Sequence, residues 1–110
     1  MAYDEQLADR IREAVEGEPG LTEKRMFGGL AFLVNGNMAV AASSQGGILL
    51  RVDPRETEDL VADPNVDRFV MRGRAMDGWL EVRTEAVPTD DALERWVARG
   101  LAYARSLPPK

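Results

Sequence analysis

The sequence contains no cysteine and no histidine. These two absences exclude a disulfide, a thiolate nucleophile, a Cys/His zinc site and a Ser-His-Asp triad. Lysine is scarce: Lys24 and Lys110 stand against twelve arginines, a skew that a GC-rich genome produces without any functional cause. Positive charge is short overall, with 14 basic against 19 acidic residues, a net charge of −5 and an isoelectric point near 4.7. A phosphate backbone repels a free acidic protein unless its cations cluster, which argues against a nucleic-acid partner. Long apolar runs are missing too. The longest nearly unbroken stretch, Gly28 to Val34, is far below the roughly 18 residues a membrane span needs. Met1-Ala2-Tyr3-Asp4-Glu5 has neither the basic nor the apolar region of a signal peptide. The expectation is a cytoplasmic protein without membrane association. Six prolines and ten glycines punctuate short elements but are too few for low complexity.

What is present is ordinary for a globular domain: 110 residues, 45% hydrophobic and 30% charged. That is enough for one core and too little for two, so residues 1–110 are expected to form a single domain. Asp4 to Glu16 reads as a helix, because Leu7, Ile11, Ala14 and Val15 fall on one stripe and Gly17 with Pro19-Gly20 stops it. Thr22 to Phe27 is a candidate strand, broken or kinked at Gly28-Gly29. Leu30 to Val34 and Asn37 to Ala42 flank Asn35-Gly36, a strong short-range hairpin signal, since both central residues of a type I′ turn need positive φ. Ile48 to Val52 is the next strand. Asp53-Pro54-Arg55-Glu56 opens a short helix to Ala62, with Asp53 as cap, Pro54 at the first position and Glu56 as capping-box partner. Val66 to Met71 and Gly78 to Val87 are strands on either side of a turn region at Arg72-Gly73-Arg74. Thr89 or Asp90 caps a last helix whose stripe is Leu93, Trp96, Val97, Gly100, Leu101 and Ala104, ended by Pro108-Pro109. The class is α+β in the order α-β-β-β-α-β-β-α. Hairpin signals predict a mostly antiparallel sheet with helices packed mainly on one face.

Several motifs together resemble the TfoX N-terminal domain family, named for the bacterial competence regulator TfoX, also called Sxy. Arg25-Met26-Phe27-Gly28-Gly29-Leu30-Ala31-Phe32 is similar to the opening signature. Gly36-Asn37-Met38-Ala39, Ile48-Leu49-Leu50-Arg51-Val52-Asp53, Gly78-Trp79-Leu80-Glu81-Val82 with Pro88, and Leu93-Glu94-Arg95-Trp96-Val97 follow in the family's order. The resemblance covers nearly the whole chain. It implies an α+β module with an antiparallel sheet, to which no enzymatic activity and no cofactor is attached. The full-length regulators carry a second, C-terminal domain. This chain ends at Lys110 and is similar to the stand-alone members, whose role is largely undefined.

Three groups of residues invite a functional reading. Arg25 beside Gly28-Gly29 suggests a binding loop. However, a strand follows where a phosphate cradle would need a helix, and a kinked strand with Met26 and Phe27 in the core explains the same residues. Arg68, Arg72, Arg74 and Arg83 around one hairpin, with Trp79 as aromatic neighbour, suggest a basic patch for an acidic partner or an anion. The structural explanation is a solvated face with cross-strand Arg–Glu pairs, each worth little. Nineteen carboxylates invite acid–base or metal chemistry. Capping and helix dipoles already explain Glu56, Glu58, Asp59, Asp63, Asp90 and Asp91, and no metal-binding spacing occurs. No metal site, cofactor or catalytic residue is therefore expected.

The strands alternate in a way that leaves apolar residues on both faces of the sheet. Ala31, Leu33, Ala39, Ala41 and Leu49 are expected opposite the face that carries Leu30, Phe32, Met38, Val40 and Leu50. A second subunit, or the short helix Pro54–Ala62, is expected to cover that second face. The function expected is a non-enzymatic regulatory or protein-interaction module, with an unknown protein partner and a homodimer through the second face. The alternatives are a domain sensing a small anionic ligand beside Arg25, Arg72, Arg74 and Trp79, a nucleic-acid-associated factor, and an enzyme working through carboxylates.

Overall fold

The structure, a computed structural model, describes residues 3–26, 28–44 and 46–110. The first helix, α1, spans Glu5–Val15 and is capped by Asp4, whose carboxylate accepts from the backbone N–H of Gln6 at 2.9 Å. Strands β1 (Leu21–Met26), β2 (Gly29–Val34), β3 (Asn37–Ala42) and β4 (Ile48–Arg51) follow. A short 3-10 turn, Pro54–Glu56, leads into the one-turn helix α2, Thr57–Leu60. Strands β5 (Val66–Met71) and β6 (Arg74–Val82) precede the long helix α3, Asp90–Ser106, capped by Thr89. All six strands form one antiparallel sheet in the order β1-β2-β3-β4-β6-β5.

The α+β class, the antiparallel sheet and the three helices agree with the sequence reading. The strand count is one higher, because the chain does not kink after β1 but reverses: Met26 lies opposite Gly29, and β1 runs back along β2. Phe27, read as a core residue, lies outside the described residues. The last strand begins four residues earlier than expected and stops at Val82. Pairing resumes at Arg74 directly after a two-residue turn, and Thr84–Ala86 is a 3-10 turn. Glu56 does not complete a capping box. It reaches Arg99 of α3 at 3.6 Å, while Asp53 accepts from the backbone N–H of Arg55 at 2.9 Å.

One face of the sheet makes the main core. Leu7, Ile11 and Val15 of α1 and Leu93, Val97, Leu101 and Ala104 of α3 pack on Phe32, Val40, Ile48, Leu50 and Leu80. Arg10 ties the two helices together, donating to the carbonyl of Val87 and to Asp90, each at 3.0 Å. Leu60 and Val61 at the end of α2 join this same core, so the short helix does not cover the second face.

The second face is filled from within the chain. Ala31, Met38, Ala41 and Leu49 are buried there, with Met26, Leu33, Phe69 and Trp79 packed against them. Met26 sits on one edge strand and Phe69 on the other, yet both line a single cavity of about 110 Å³. The sheet therefore curls its edges toward each other over this face, and no second copy is needed to bury these four residues. Met38 lies here, and Ala39 lies with Val40 in the main core, against strict alternation. The cause is a bulge: Phe32 faces Val40 and Leu33 faces Met38, leaving Ala39 as the extra residue. A bulge puts two successive residues on one side.

Past α3 the chain lies over the β2–β3 turn. The buried Asn37 amide donates to the carbonyl of Pro108 at 2.9 Å, and the N–H of Lys110 donates to the carbonyl of Asn35 at 2.8 Å.

Candidate functional site

The β5–β6 hairpin was singled out from sequence for its arginines, and the structure divides them into two kinds. Arg68 on β5 is held by Asp77 at 2.8 Å and reaches Glu58 of α2 at 3.4 Å. Arg83, just past β6, pairs with Asp67 and donates to the carbonyl of Pro64 at 2.7 Å. The cross-strand partners are thus aspartates and a helix glutamate. Exposed pairs of this kind contribute up to about 1 kcal/mol each. Their charges are spent inside the fold.

Arg72 and Arg74 differ. They flank Gly73 at the hairpin tip, both exposed, and neither has an ion-pair or hydrogen-bond partner among the described residues. Arg72 and Gly73 have φ of +53° and +77°, matching Asn35 and Gly36 at +52° and +86°. Both turns therefore have positive φ at each central residue, the type I′ pattern that suits right-handed strand twist. Beside this tip Val70 is 57% exposed, the large hydrophobic residue left open to solvent among those described.

Trp79 is not part of that tip. It lies on the second face opposite Arg51, whose guanidinium sits 4.9 Å from its ring centre and 5.6 Å from that of Tyr103. Arg25 is exposed on β1, at the other edge of the sheet from β5, and has no ion-pair partner among the described residues. The structure thus sets Arg72 and Arg74 with Val70 at the hairpin tip, pairs Trp79 with Arg51, and leaves Arg25 on β1 next to Met26, which shares the small second-face cavity with Phe69 and Val70.

A strong irregularity supports the hairpin from below. Arg68 faces Leu80, but the next residue, Phe69, faces Met76, so Asp77, Gly78 and Trp79 bulge out of the β5–β6 ladder. Gly78 carries φ of +84°. Its N–H donates to the Thr57 hydroxyl at 2.8 Å, and its carbonyl accepts from the N–H of Val52 at 2.9 Å. Thr57 is 1% exposed. Sequence reasoning missed Thr57, Arg51 and Asn37. The available signals were a threonine in a short polar helix, an arginine ending an apolar strand, and an asparagine beginning one.

Three carboxylates are held in their ionised form by neighbouring arginines. Hydrogen bonds from Arg105 and from Arg12 hold Glu18 and Glu23 below the usual carboxylate range. The side-chain and backbone hydrogen bonds of Arg55 hold Asp53 down at about 2. A catalytic acid at neutral pH needs the opposite shift. Among the described residues, no three His, Cys, Asp or Glu side chains gather as a metal site. No helix among them is long and apolar enough to cross a membrane. An open groove of about 650 Å³ runs along α3 between Asp53, Glu56, Arg95, Arg99, Tyr103 and Ser106. Glu56 and the Trp96 ring already engage its Arg99.

Comparison with known proteins followed the same lines. Residues 13–104 match the family model of the TfoX N-terminal domain. A search of curated proteins returned no match.

Proposed function

The chain belongs to the TfoX N-terminal domain family, and from that premise we propose that it is a non-enzymatic regulatory or protein-interaction module of the cytoplasm whose contact site is the β5–β6 hairpin. The observation that carries this reading is the pair Arg72 and Arg74, exposed and unpaired beside the open Val70. Arg72 in particular occupies a positive-φ position where asparagine or glycine would fit with less strain. The fold gains nothing from an arginine there, whereas a partner would. Local charge with an adjacent apolar residue is the composition of a recognition patch.

The sensing of a small anion is less well supported. Of the four residues it would use, Trp79 already stacks with Arg51. Net charge of −5 also disfavours nucleic acid.

The test is recovery of the tagged protein from its native lysate after nuclease treatment, beside an Arg72→Ala/Arg74→Ala variant. A protein recovered in near-equal amount with the wild type and lost with the variant supports the reading. Equal recovery with both overturns it. A thermal-shift screen of inorganic anions that stabilises the wild type alone would favour the anion reading instead.

A further inference from the structure

The sheet has two free edges, and they are built differently. The β1 edge exposes Thr22, Glu23, Lys24 and Arg25 in succession. A run of charge on an edge strand blocks pairing with other chains. The β5 edge reads Val-Asp-Arg-Phe-Val-Met. Its two charged residues, Asp67 and Arg68, are engaged by Arg83 and Asp77, and its Val70 is open. An open trough of about 630 Å³ is lined by Val66, Asp67, Arg68 and Val70 of this strand with Val61 and with Ala75 and Glu81 of β6. Val66, Arg68 and Val70 alternate onto the face of β5 where Val61 packs, and Ala75 is the cross-strand partner of Val70, so the trough runs along that face at the rim of the sheet. At its far end stand the unpaired Arg72 and Arg74.

We propose that β5 is a docking edge for an extended acidic–apolar segment of a partner protein, which adds to the sheet as a seventh strand. This rests on the interaction-module reading and names the partner chemistry for the same hairpin. Edge N–H and C=O groups of β5 supply the main-chain bonds, the Val66 N–H excepted because it already donates to the carbonyl of Asp63 at 3.0 Å, and alternate side chains supply selectivity. Antiparallel pairing is the stronger arrangement and continues the pattern of the sheet. The segment's N-terminal end then lies beside Met71 and the hairpin tip, where its carboxylates meet Arg72 and Arg74. An apolar side chain follows against Val70. The overall charge of −5 gives an acidic segment no long-range attraction, so recognition is by contact and not by steering.

A second copy of this chain fits the edge poorly. In the twofold antiparallel register centred on β5, Arg68 would face Arg68 of the mate and Asp67 would face Phe69. Like charges would meet at the centre, and neither tip arginine would face a carboxylate of the mate's β5.

The test uses the full chain and three fluorescein-labelled peptides. The first begins Asp-Glu-Asp and continues with alternating valine and threonine. The second replaces the acids by lysines. The third keeps the acids but carries proline at alternate positions, which removes the N–H groups that pairing needs. The acidic peptide is expected to bind by anisotropy, and the other two to bind at least about tenfold more weakly. Val70→Lys and Arg72→Glu/Arg74→Glu, checked by thermal melt to be folded, should each lose about tenfold or more. Amide exchange of residues 66–71 should slow on binding while that of 21–26 does not change. Failure of the acidic peptide to bind, or equal binding of the proline peptide, overturns the proposal. So does concentration-dependent protection of β5 without peptide, which would identify a second copy as the occupant. A lysate partner lost with Arg72→Ala/Arg74→Ala but kept by Val70→Lys would overturn edge pairing and leave the interaction-module reading standing.

Discussion

Gly100 of α3 rests on the carbonyl of Ala39: a Cβ built at Gly100 would lie 2.4 Å from that oxygen. The bulge in β3 pushes Ala39 out of alternation and toward the helix, and the glycine accepts it. Two effects of Gly100→Ala then oppose each other. Alanine gains about 1 kcal/mol of helix propensity. Against it stands overpacking onto backbone, which costs about 1–3 kcal/mol and sometimes more, because a backbone carbonyl cannot swing aside as a side chain can. The expected outcome is net destabilisation, read as a lower midpoint in urea with unchanged slope. A stabilised variant would show that helix and bulge are not in close contact.

Thr57 holds the β6 bulge from the neighbouring one-turn helix. Thr57→Val keeps the volume and removes the hydroxyl, leaving the Gly78 N–H buried without its 2.8 Å acceptor. An unmet buried donor costs about 1–3 kcal/mol. Thr57→Ser keeps the acceptor and should lose less than Thr57→Val. Equal losses for the two variants would assign the effect to packing.

Short-range patterns in the sequence carried the fold a long way. Asn35-Gly36, the α3 stripe and the Thr89 cap are local, and the structure has each of them where the residues place it. The features that went unread are non-local. The Ala39 bulge reverses the face of Met38, and nothing within three residues of it announces that. The covering of Ala31, Ala41 and Leu49 depends on curling, which brings Met26 and Phe69 from opposite edges to one cavity. In the candidate site, the number and position of the hairpin arginines were legible. Which of them are spent was not, because the carboxylates that claim Arg68 lie 9 and 10 residues away in sequence.

Stability should fall on the acid side through Glu18. Its carboxylate is nearly covered, at 7% side-chain exposure, by the two-pronged contact with Arg105. That contact lowers its proton affinity in the folded state relative to an ordinary value of 4.5. The unfolded chain therefore takes up the proton first as pH drops. The stabilisation is complete above pH 4.5 and is lost as pH falls through the lower folded value. A melting-temperature profile from pH 7 to 2 should lose part of its acid slope in Glu18→Gln, with the two curves converging at the acid end. Parallel curves would mean that the pair contributes nothing to the pH dependence.

Arg72 and Asn35 occupy the same position of two turns with the same geometry, and only one of them is the residue that geometry prefers. An ordinary side chain in the left-handed region costs about 1–2 kcal/mol, and asparagine tolerates it better. Arg72 has no ion-pair or hydrogen-bond partner among the described residues to offset this, so Arg72→Asn should raise stability by about 0.5–1 kcal/mol. Arg74→Asn, at the start of β6 and outside the turn, should change it by less than about 0.5 kcal/mol. If the tip arginines face a partner, the same Arg72→Asn protein should bind it more weakly while melting higher. Opposite movement of the two readouts is the mark of a residue kept for contact at the expense of the fold. A variant that gained stability and lost no binding would show that the turn arginine serves neither.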